Sequence, residues 1–363
     1  MKFLFVVQGE GRGHLTQAIA MEDMLTKNGH EVVGVLVGKS NYRELPAFFS
    51  KNIKAPIERF YSPNFLPASE DKKVSIWKSV AYNFSKTFVY IRSILFIRKE
   101  IKAKKADVVI NFYEMLLGLT YALLPPKVPY VCIAHQYIFL HPDFKFPNGS
   151  KAEIHGLKFF TKITSINASK RLALSMRKME NSPKRKISVL PPLLRRDVID
   201  VNPEEGDYIH GYMLNETYAE QIIRFQKKAP DVSMHFFWDK KGAEETTIIN
   251  DKLSFHKLND KLFVKYMAGC KAYATTAGFE SVCEAMYLGK PVMMVPTHIE
   301  QECNAYDAAL SGAGIVAKQF ELDTLIDFIP QYQPNNEFRD WVRDAETVFM
   351  EELESIKKRK TVV

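Results

Sequence analysis

The stretch KAYATTAGFESVCEAMYLGKPVMMVPTHIEQECNA, Lys271–Ala305, decides the fold. Lys271–Thr275 is a short apolar run of strand type, and Thr276, Ala277 and Gly278 turn it into a helical pattern. Gly289 and Pro291 end that helix and open a second apolar run, Pro291–Val295, after which His298, Glu300 and Gln301 bring polar groups back. Strand, turn, helix, strand is a βαβ unit. Its two strands pair in parallel, because a helical crossover joins them and not a hairpin, and a parallel sheet needs both faces covered.

The same alternation extends outward. Asp207–Met213, Val232–Trp238 and Leu253–Leu258 before the stretch, and Gly314–Val316 after it, read as further strands with helical patterns between most of them. An earlier set comprises Lys2–Val7, a helix from about Leu15 to Lys27, then Glu31–Val37, Asp107–Phe112 and Tyr130–Ala134. Between the sets, KISVLPPLL (Lys186–Leu194) places two prolines side by side and leads into a polar, charge-rich segment. The expected fold is α/β: two Rossmann-like doubly wound domains facing a cleft, residues 1–190 and 191–335, with a last helix over 336–363 returning to the first domain. Asn336 is expected to cap that helix. Phe338, Trp341, Val342, Ala345, Phe349 and Leu353 follow at helical spacing, and the basic end KKRK suits a helix C-terminus.

The composition agrees. A chain of 363 residues, 46% hydrophobic and 25% charged, can bury two cores and does not read as disordered. Its net charge of +8 admits nucleic acid, an anionic membrane surface or phosphorylated small molecules as partners. Neither zinc-finger spacing nor an RNA-binding aromatic signature occurs, so nucleic acid is set aside. Cys132, Cys270, Cys283 and Cys303 form no CxxC pair and read as buried reduced thiols of a cytoplasmic protein. The opening MKFLFVVQGEGRGH has too short an apolar run for a signal peptide, and no run reaches the roughly 18 apolar residues of a membrane span.

Two motifs could carry chemistry. GEGRGH, Gly9–His14, directly follows the first strand. Gly9, Gly11 and Gly13 give GxGxG and not the GxGxxG of a dinucleotide fold, so NAD is not expected. Either they let a ligand approach the backbone, or they only permit a tight strand-to-helix turn. His14 would sit at the strand's carboxyl end, where open α/β sheets bind ligands. In the second motif, the free N–H groups of the helix after Gly278 suit a diphosphate. Glu284, further along that helix, suits two vicinal hydroxyls such as those of ribose, and Glu300 and Gln301 lie at the next strand's carboxyl end. Singly, each has a bland reading: Glu284 as a salt-bridge partner, Gln301 as a helix N-terminal residue.

Taken in this order, the stretch resembles the donor-binding signature of inverting GT-B glycosyltransferases. It is similar to that of UDP-sugar transferases of plants and bacteria and to that of the bacterial N-acetylglucosaminyltransferases that make peptidoglycan lipid intermediates. The signature runs Gly, Ser, Glu, Gly-x-Pro, Pro, acidic-or-amide-Gln, Asn-Ala. Here it reads Gly278, Ser281, Glu284, Gly289-Lys290-Pro291, Pro296, Glu300-Gln301, Asn304-Ala305. GEGRGH also resembles the glycine loop of the peptidoglycan group. The resemblance implies a GT-B fold and a UDP-linked donor. Thr276, Ala277 and Gly278 would face the diphosphate, with Ser281 in the same donor-binding set. Glu284 would hold the ribose, Glu300 and Gln301 the sugar hydroxyls, and Leu258 the nucleobase. His14 would stand near the reacting centre as first choice of base. Three residues depart from the pattern. Thr276 stands where plant-type enzymes place histidine, and Glu300 where Asp or Gln is usual. Glu280 puts an anion beside an anionic ligand, and is expected to point away or to pair with a lysine. No Asp-x-Asp occurs, which agrees with a leaving group held by a helix terminus and side chains. No metal and no resident cofactor are expected, the nucleotide sugar being a substrate.

Val74–Lys105 is apolar, aromatic and basic, with Trp77, Val80, Phe84, Phe88, Ile91 and Leu95 at helix-like spacing. It reads either as a helix packed on the core with a solvated basic face, or as a membrane-surface contact or lipid-acceptor groove. Lys151–Lys186, where only Glu153 and Glu180 oppose the cations, adds to the second reading. Glu114, His135 (with Gln136), Gly211 and Arg195 are further cleft candidates, each with a structural reading beside it.

The expected function is transfer of a sugar from a nucleotide diphosphate sugar to a hydroxyl acceptor, with inversion. The acceptor would be a lipid or cell-envelope glycan, and the expected place the cytoplasm, with peripheral contact at the inner membrane face. Two alternatives stand: a UDP-sugar 2-epimerase-like enzyme, whose Arg-Pro-Glu this chain lacks, and a non-catalytic nucleotide-sugar-binding protein.

Overall fold

The computed structural model describes residues 1–40, 44–63, 86–213, 216–240 and 242–358. The first sheet contains β1 (Lys2–Val7), β2 (Glu31–Lys39), β3 (Ile57–Tyr61), β4 (Val108–Phe112), β5 (Tyr130–Ala134), β6 (Lys170–Leu174) and β7 (Ile187–Leu190). Their order is β3-β2-β1-β4-β5-β6-β7, and every pairing is parallel. The second sheet contains β8 (Tyr208–Met213), β9 (Ser233–Trp238), β10 (Thr246–Asn250), β11 (Leu253–Lys257), β12 (Ala272–Thr275), β13 (Val292–Met294) and β14 (Gly314–Val316). Their order is β10-β11-β9-β8-β12-β13-β14, parallel except for β10 against β11. The helices are α1 (Arg12–Lys27), α2 (Ala47–Asn52), α3 (Thr87–Ala103), α4 (Met115–Leu123), α5 (Lys151–Thr164), α6 (Arg196–Ile199), α7 (Ala219–Lys228), α8 (Asp260–Gly269), α9 (Phe279–Tyr287), α10 (Ile299–Leu310), α11 (Leu322–Phe328), α12 (Asn336–Arg343) and α13 (Ala345–Lys358).

Both sheets are doubly wound. In the first, the chain moves from β1 out through β2 and β3, then returns to place β4 on the other side of β1. In the second, β9 lies on one side of β8 and β12 on the other. Each such reversal leaves a crevice beyond the strands' carboxyl ends, because consecutive crossover helices depart to opposite faces. The two motifs lie there: GEGRGH follows β1, and Thr276-Ala277-Gly278 follows β12.

Strand residues alternate between two apolar clusters. Phe236, Ala272, Ala274 and Met293 join Leu325 on one face of the second sheet. Phe237, Tyr273, Val292 and Met294 face the other way, into a larger cluster that includes the first sheet's Phe3–Val7 and, from the second half, Phe279, Val282 and Phe338. The halves are therefore joined by apolar packing as well as by the chain.

Four strands escaped the sequence reading. In β3, only Phe60 is buried, and β10 is an edge with Ile248 73% exposed. β6 opens on two charged residues. β7 runs directly into Pro191-Pro192; as the last strand of its sheet it has one free edge, so the prolines interrupt no ladder. The expected single terminal helix is two, α12 and α13, broken at Asp344. Asn335, not Asn336, caps α12, accepting from Phe338 N–H at 2.9 Å. α13 buries Phe349 and Leu353, pairs Glu346 with Lys27 of α1 at 2.6 Å and pairs Glu352 with Lys170 of β6.

Candidate functional site

α1 and α9 start at the two crevices, and both start from a glycine. Gly11 precedes α1 and Gly278 precedes α9, and neither helix has a side-chain cap. α4, α5, α8 and α12 are capped by Glu114, Ser150, Asn259 and Asn335, whereas α2, α3, α6, α7, α10 and α11 also start without a side-chain cap; what sets α1 and α9 apart is the glycine at a sheet reversal. An uncapped start leaves backbone N–H groups to meet an anion. Before α9 the backbone is also held in an uncommon shape: Ala277, fully buried, has φ +63°, and its carbonyl accepts from Asn304 Nδ2 at 3.4 Å.

Around that start lies a cavity of about 180 Å³. Gly278, Ser281 and Glu284 of the second half line it, with Tyr212, Leu258, Asp260 and Phe263, and Arg12, Gly13 and Thr16 come from the first. Glu284 is almost wholly buried. The guanidinium of Arg195, on the segment joining the halves, donates twice to its Oε1, from Nε at 3.1 Å and from Nη2 at 2.9 Å. Arg195 Nη1 lies 3.7 Å from Asp260 Oδ1, which accepts from Arg12 Nη2 at 2.7 Å. Four alternating charges thus cross the cleft. Arg195, a cleft candidate of the sequence, does lie in the cleft, where it neutralises the carboxylate expected to hold ribose.

His14 lies in the first turn of α1, buried and stacked on Tyr113 with ring centres 5.4 Å apart. Gln17 Oε1 is 3.4 Å from its Nδ1, and Gln136 Nε2 is 3.4 Å from its Nε2. Burial foremost, then the charge of His135, lowers the His14 pKa to about 4, so the ring is neutral at pH 7. Gln136 Nε2 also donates to Glu300 Oε1 at 3.2 Å, and His135 Nε2 lies 3.4 Å from the same oxygen. Burial opposes the charge on Glu300, but His135 beside it, with His298 and His14, prevails and holds its pKa at about 2. The His135 ring also stacks on Phe279 of α9 at 4.4 Å.

The remaining expected residues divide. Gln301 Oε1 accepts from Thr297 N–H at 2.9 Å and from its hydroxyl at 2.7 Å, which closes the turn before α10. Glu280 neither points away nor pairs with lysine: its Oε1 accepts from Gln17 Nε2. The three loop glycines serve three ends. A Cβ on Gly9 would lie 2.0 Å from the Gly38 carbonyl oxygen, so Gly9 serves packing. A Cβ on Gly13 would lie 2.5 Å from a Glu280 carboxylate oxygen, while Gly11 has room for one. Gly211 lies inside β8, where a Cβ would strike the Phe236 ring at 2.1 Å, so it admits an aromatic ring and not a ligand. Glu114 is fully buried as the cap of α4. Sequence reading missed Arg12, Gln17, Tyr212, Asp260 and Phe263. Only Gln17 carried a local signal, three residues after His14 on one helix face. All four cysteines are buried and free.

Comparison with known proteins follows this geometry. The family model for glycosyl transferase family 1 matches residues 1–332. A Francisella tularensis (strain SCHU S4 / Schu 4) protein, UDP-N-acetylglucosamine–N-acetylmuramyl-(pentapeptide) pyrophosphoryl-undecaprenol N-acetylglucosamine transferase, is 22% identical over 371 residues, covering 93% of this chain and 90% of its own. Among solved structures, spinosyn rhamnosyltransferase complexed with thymidine diphosphate has a TM-score of 0.63 at 13% identity, covering 98% of this chain and 100% of that one. Phytolacca americana UGT2 complexed with UDP-2fluoro-glucose and pterostilbene has a TM-score of 0.63 at 12% identity, covering 98% and 99%. The structural likeness is one of fold, two Rossmann-like domains in the GT-B arrangement.

The Glu114 carboxyl offers a test of the first half's interior. Its Oε1 accepts from Ser62 Oγ at 2.6 Å and from Leu116 N–H at 3.0 Å, while Oε2 is buried with no hydrogen-bond partner among the described residues. Desolvation, opposed by those bonds and aided by the charge of Glu10, raises the pKa from 4.5 to about 7. The folded state therefore binds a proton more tightly than the unfolded one. This contribution to stability is full below about pH 4.5, falls as pH rises towards about 7, and is flat beyond, a loss of roughly 3 kcal/mol. Glu114→Gln removes the titration. Urea unfolding of both proteins at about pH 5 and pH 8 should show the variant gaining on the wild type at the higher pH; an equal difference at both contradicts the assignment.

Proposed function

The chain belongs to glycosyl transferase family 1 and is a nucleotide-sugar-dependent glycosyltransferase of GT-B fold, and we propose that its donor is UDP-linked, that the donor lies against the second half, and that transfer inverts the anomeric carbon. We place the domain boundary between Leu190 and Pro191 and count residues 336–358 as the segment returning to the first domain; the remainder of the expected 336–363 lies outside the described residues. The observation that carries the reading is the composition of one cavity. It brings together an uncapped helix start, a buried carboxylate and the rings and side chain of Tyr212, Phe263 and Leu258, the kinds of group that a phosphate, a ribose and a base need.

At about 180 Å³ the cavity is smaller than the roughly 300–1,000 Å³ of typical ligand sites. Donor entry therefore displaces Arg195 from Glu284 while the contact of Glu280 with α1 stays closed. The ribose hydroxyls then donate to the carboxylate, and the freed guanidinium turns to the diphosphate. Glu300 and Gln301 take the sugar hydroxyls, the latter through its amide nitrogen. The acceptor oxygen attacks the anomeric carbon from the side of α1, and its proton passes to His14. The bond from that carbon to the diphosphate breaks, and the leaving charge meets the N–H groups of α9 and Arg195. A neutral imidazole is in the form this step needs at pH 7.

The acceptor we propose is lipid-linked or a cell-envelope glycan, reached at the inner face of a membrane from the cytoplasm. The Francisella relative's name specifies a pyrophosphoryl-undecaprenol acceptor, and the surface of α3 supports a similar setting. Phe88, Ile91 and Leu95 are 82%, 46% and 51% exposed, beside exposed Arg92, Arg98, Lys99 and Lys102. The stripe packed on the core is instead Ile94, Ile97 and Ile101, so the core-packed reading fails for these three apolar residues; Trp77, Val80 and Phe84 lie outside the described residues. Leu95, Arg98, Lys99, Lys102 and Lys127 line the cavity beside them, about 710 Å³. Among the described residues no helix is long and apolar enough to cross a membrane. Large apolar side chains among cations suit the interface of an anionic bilayer.

Calorimetric titration with UDP tests the donor site. Glu284→Ala should weaken UDP binding by roughly 1–3 kcal/mol, whereas His14→Ala should keep UDP affinity and lose about 10²–10⁴-fold in turnover. Unchanged UDP affinity in folded Glu284→Ala removes the assignment. For the membrane face, the protein should float with vesicles containing phosphatidylglycerol, and a Phe88→Ser, Ile91→Ser, Leu95→Ser variant should stay behind. Absence of flotation, or flotation of both, contradicts that contact.

A further inference from the structure

We propose that Glu280 is a positioning residue for His14: acting through Gln17, it holds the imidazole in the tautomer whose lone pair is on Nε2, where it takes a proton once the acceptor hydroxyl replaces Gln136, and it does so only when the two halves are closed. The inference rests on His14 as the base, as proposed above, and adds a group from the other half of the molecule.

The hydrogen bonds fix the tautomer by elimination. Gln17 Nε2 lies 2.5 Å from Glu280 Oε1. A carboxylate only accepts, so the amide nitrogen must face Glu280 and the amide oxygen must face the other way. That oxygen lies 3.4 Å from His14 Nδ1 and also only accepts, so Nδ1 carries the proton. A neutral imidazole has one N–H, which leaves the lone pair on Nε2. The other side of the ring agrees independently. Gln136 Nε2 donates to Glu300 Oε1, so its amide is oriented by a carboxylate too, and the same nitrogen presents an N–H to His14 Nε2 at 3.4 Å. Tyr113 stacks on the ring and sets its plane.

The arrangement is built across the cleft. His14 and Gln17 share one face of the first turns of α1, whereas Glu280 stands in the first turn of α9, beyond the second sheet. Gln17 is fully buried. Glu280 reaches it by passing over Gly13, where any Cβ would lie 2.5 Å from Oε2. This gives Gly13 a task that a strand-to-helix turn alone does not require. It also gives the anion in the first turn of α9, beside the expected diphosphate, a partner: its carboxylate accepts from an amide of the opposite domain.

In the step it serves, the acceptor oxygen bonds to the anomeric carbon while its proton moves to His14 Nε2. The bond from that carbon to the diphosphate breaks, and the leaving group keeps the electron pair. The imidazolium's Nδ1–H remains on Gln17 Oε1, whose amide is polarised by Glu280. Opening of the cleft removes Glu280 and frees Gln17 to turn over, so the base is set only in the closed form.

Ring-nitrogen NMR of the full chain labelled with ¹⁵N-histidine reads the tautomer directly, His14 being assigned by its loss in His14→Asn. The wild type should show Nδ1 protonated and Nε2 unprotonated. Glu280→Gln offers the same accepting oxygen and should keep both the signature and the turnover. Glu280→Leu should lose the signature and about 10–100-fold in kcat measured at saturating donor. If Glu280→Leu does not fold, Gly13→Ala, which displaces the carboxylate by contact, should give the same two changes. A proton on Nε2 in the wild type overturns the proposal, as does an unaltered ring signature in Glu280→Leu or, failing that, in Gly13→Ala. UDP titration of the same samples judges the donor site separately: a wild type that binds no UDP sinks that reading and leaves the tautomer result standing.

Discussion

Two helix starts that follow glycines at the reversal points of the two sheets, both without a side-chain cap, are the constraint from which the proposed site follows. The first backbone N–H groups of a helix have no partner within it, and a buried helix start must find one elsewhere. α1 and α9 both begin from glycine, at the reversal points of two doubly wound sheets, and they open on the same cleft. Around them the molecule has gathered acceptors: Glu280 against Gly13, Glu284 one and a half turns along α9, and Glu300 at the start of α10. A diphosphate answers the need at α9 with two charges at once, which is why this fold suits nucleotide-linked donors.

The carboxylates of the cleft are not idle in the free protein. Glu284 holds Arg195, Asp260 holds Arg12, Glu300 holds Gln136 and Asp307 holds Arg177 at 3.0 Å. Apart from the first, where Arg195 sits on the joining segment, each bond runs from one half to the other. The three ion pairs among them gain little net stability: where they are buried, as at Glu284, desolvating both charges offsets their attraction, and where they are partly exposed, solvent screens it. They do exclude loose water and hold side chains close to where a ligand would need them. A donor bound as proposed exchanges partners and does not have to bring order to disordered groups, which lowers the entropic cost of binding.

What was legible in the sequence was local. Strands buried on both faces read as apolar runs, and the turn-helix-turn chemistry of Lys271–Ala305 marked out the unit β12, α9, β13, with Gly278 before the helix and Gly289 after it. β3 and β10 carry the mixed pattern of edges, and β7 was masked by prolines harmless at a sheet's end. The partners of charged residues were not legible. Glu280 and Gln17 are 263 residues apart, so nothing near either one announces the pair. The same holds for Arg12 with Asp260, 248 residues apart. Gly211 misled for a related reason: a glycine admits a ligand or a ring, and only the fold shows that Phe236 fills the space.

The central claim is that a nucleoside diphosphate lies on the start of α9. Hydrogen–deuterium exchange of the full chain with and without saturating UDP tests it most directly. The account predicts slower exchange over Thr276–Glu284 and around Tyr212, with lesser change at the Gly9–His14 loop. Protection confined to the first half, with Thr276–Glu284 unaltered while UDP is bound, would contradict it.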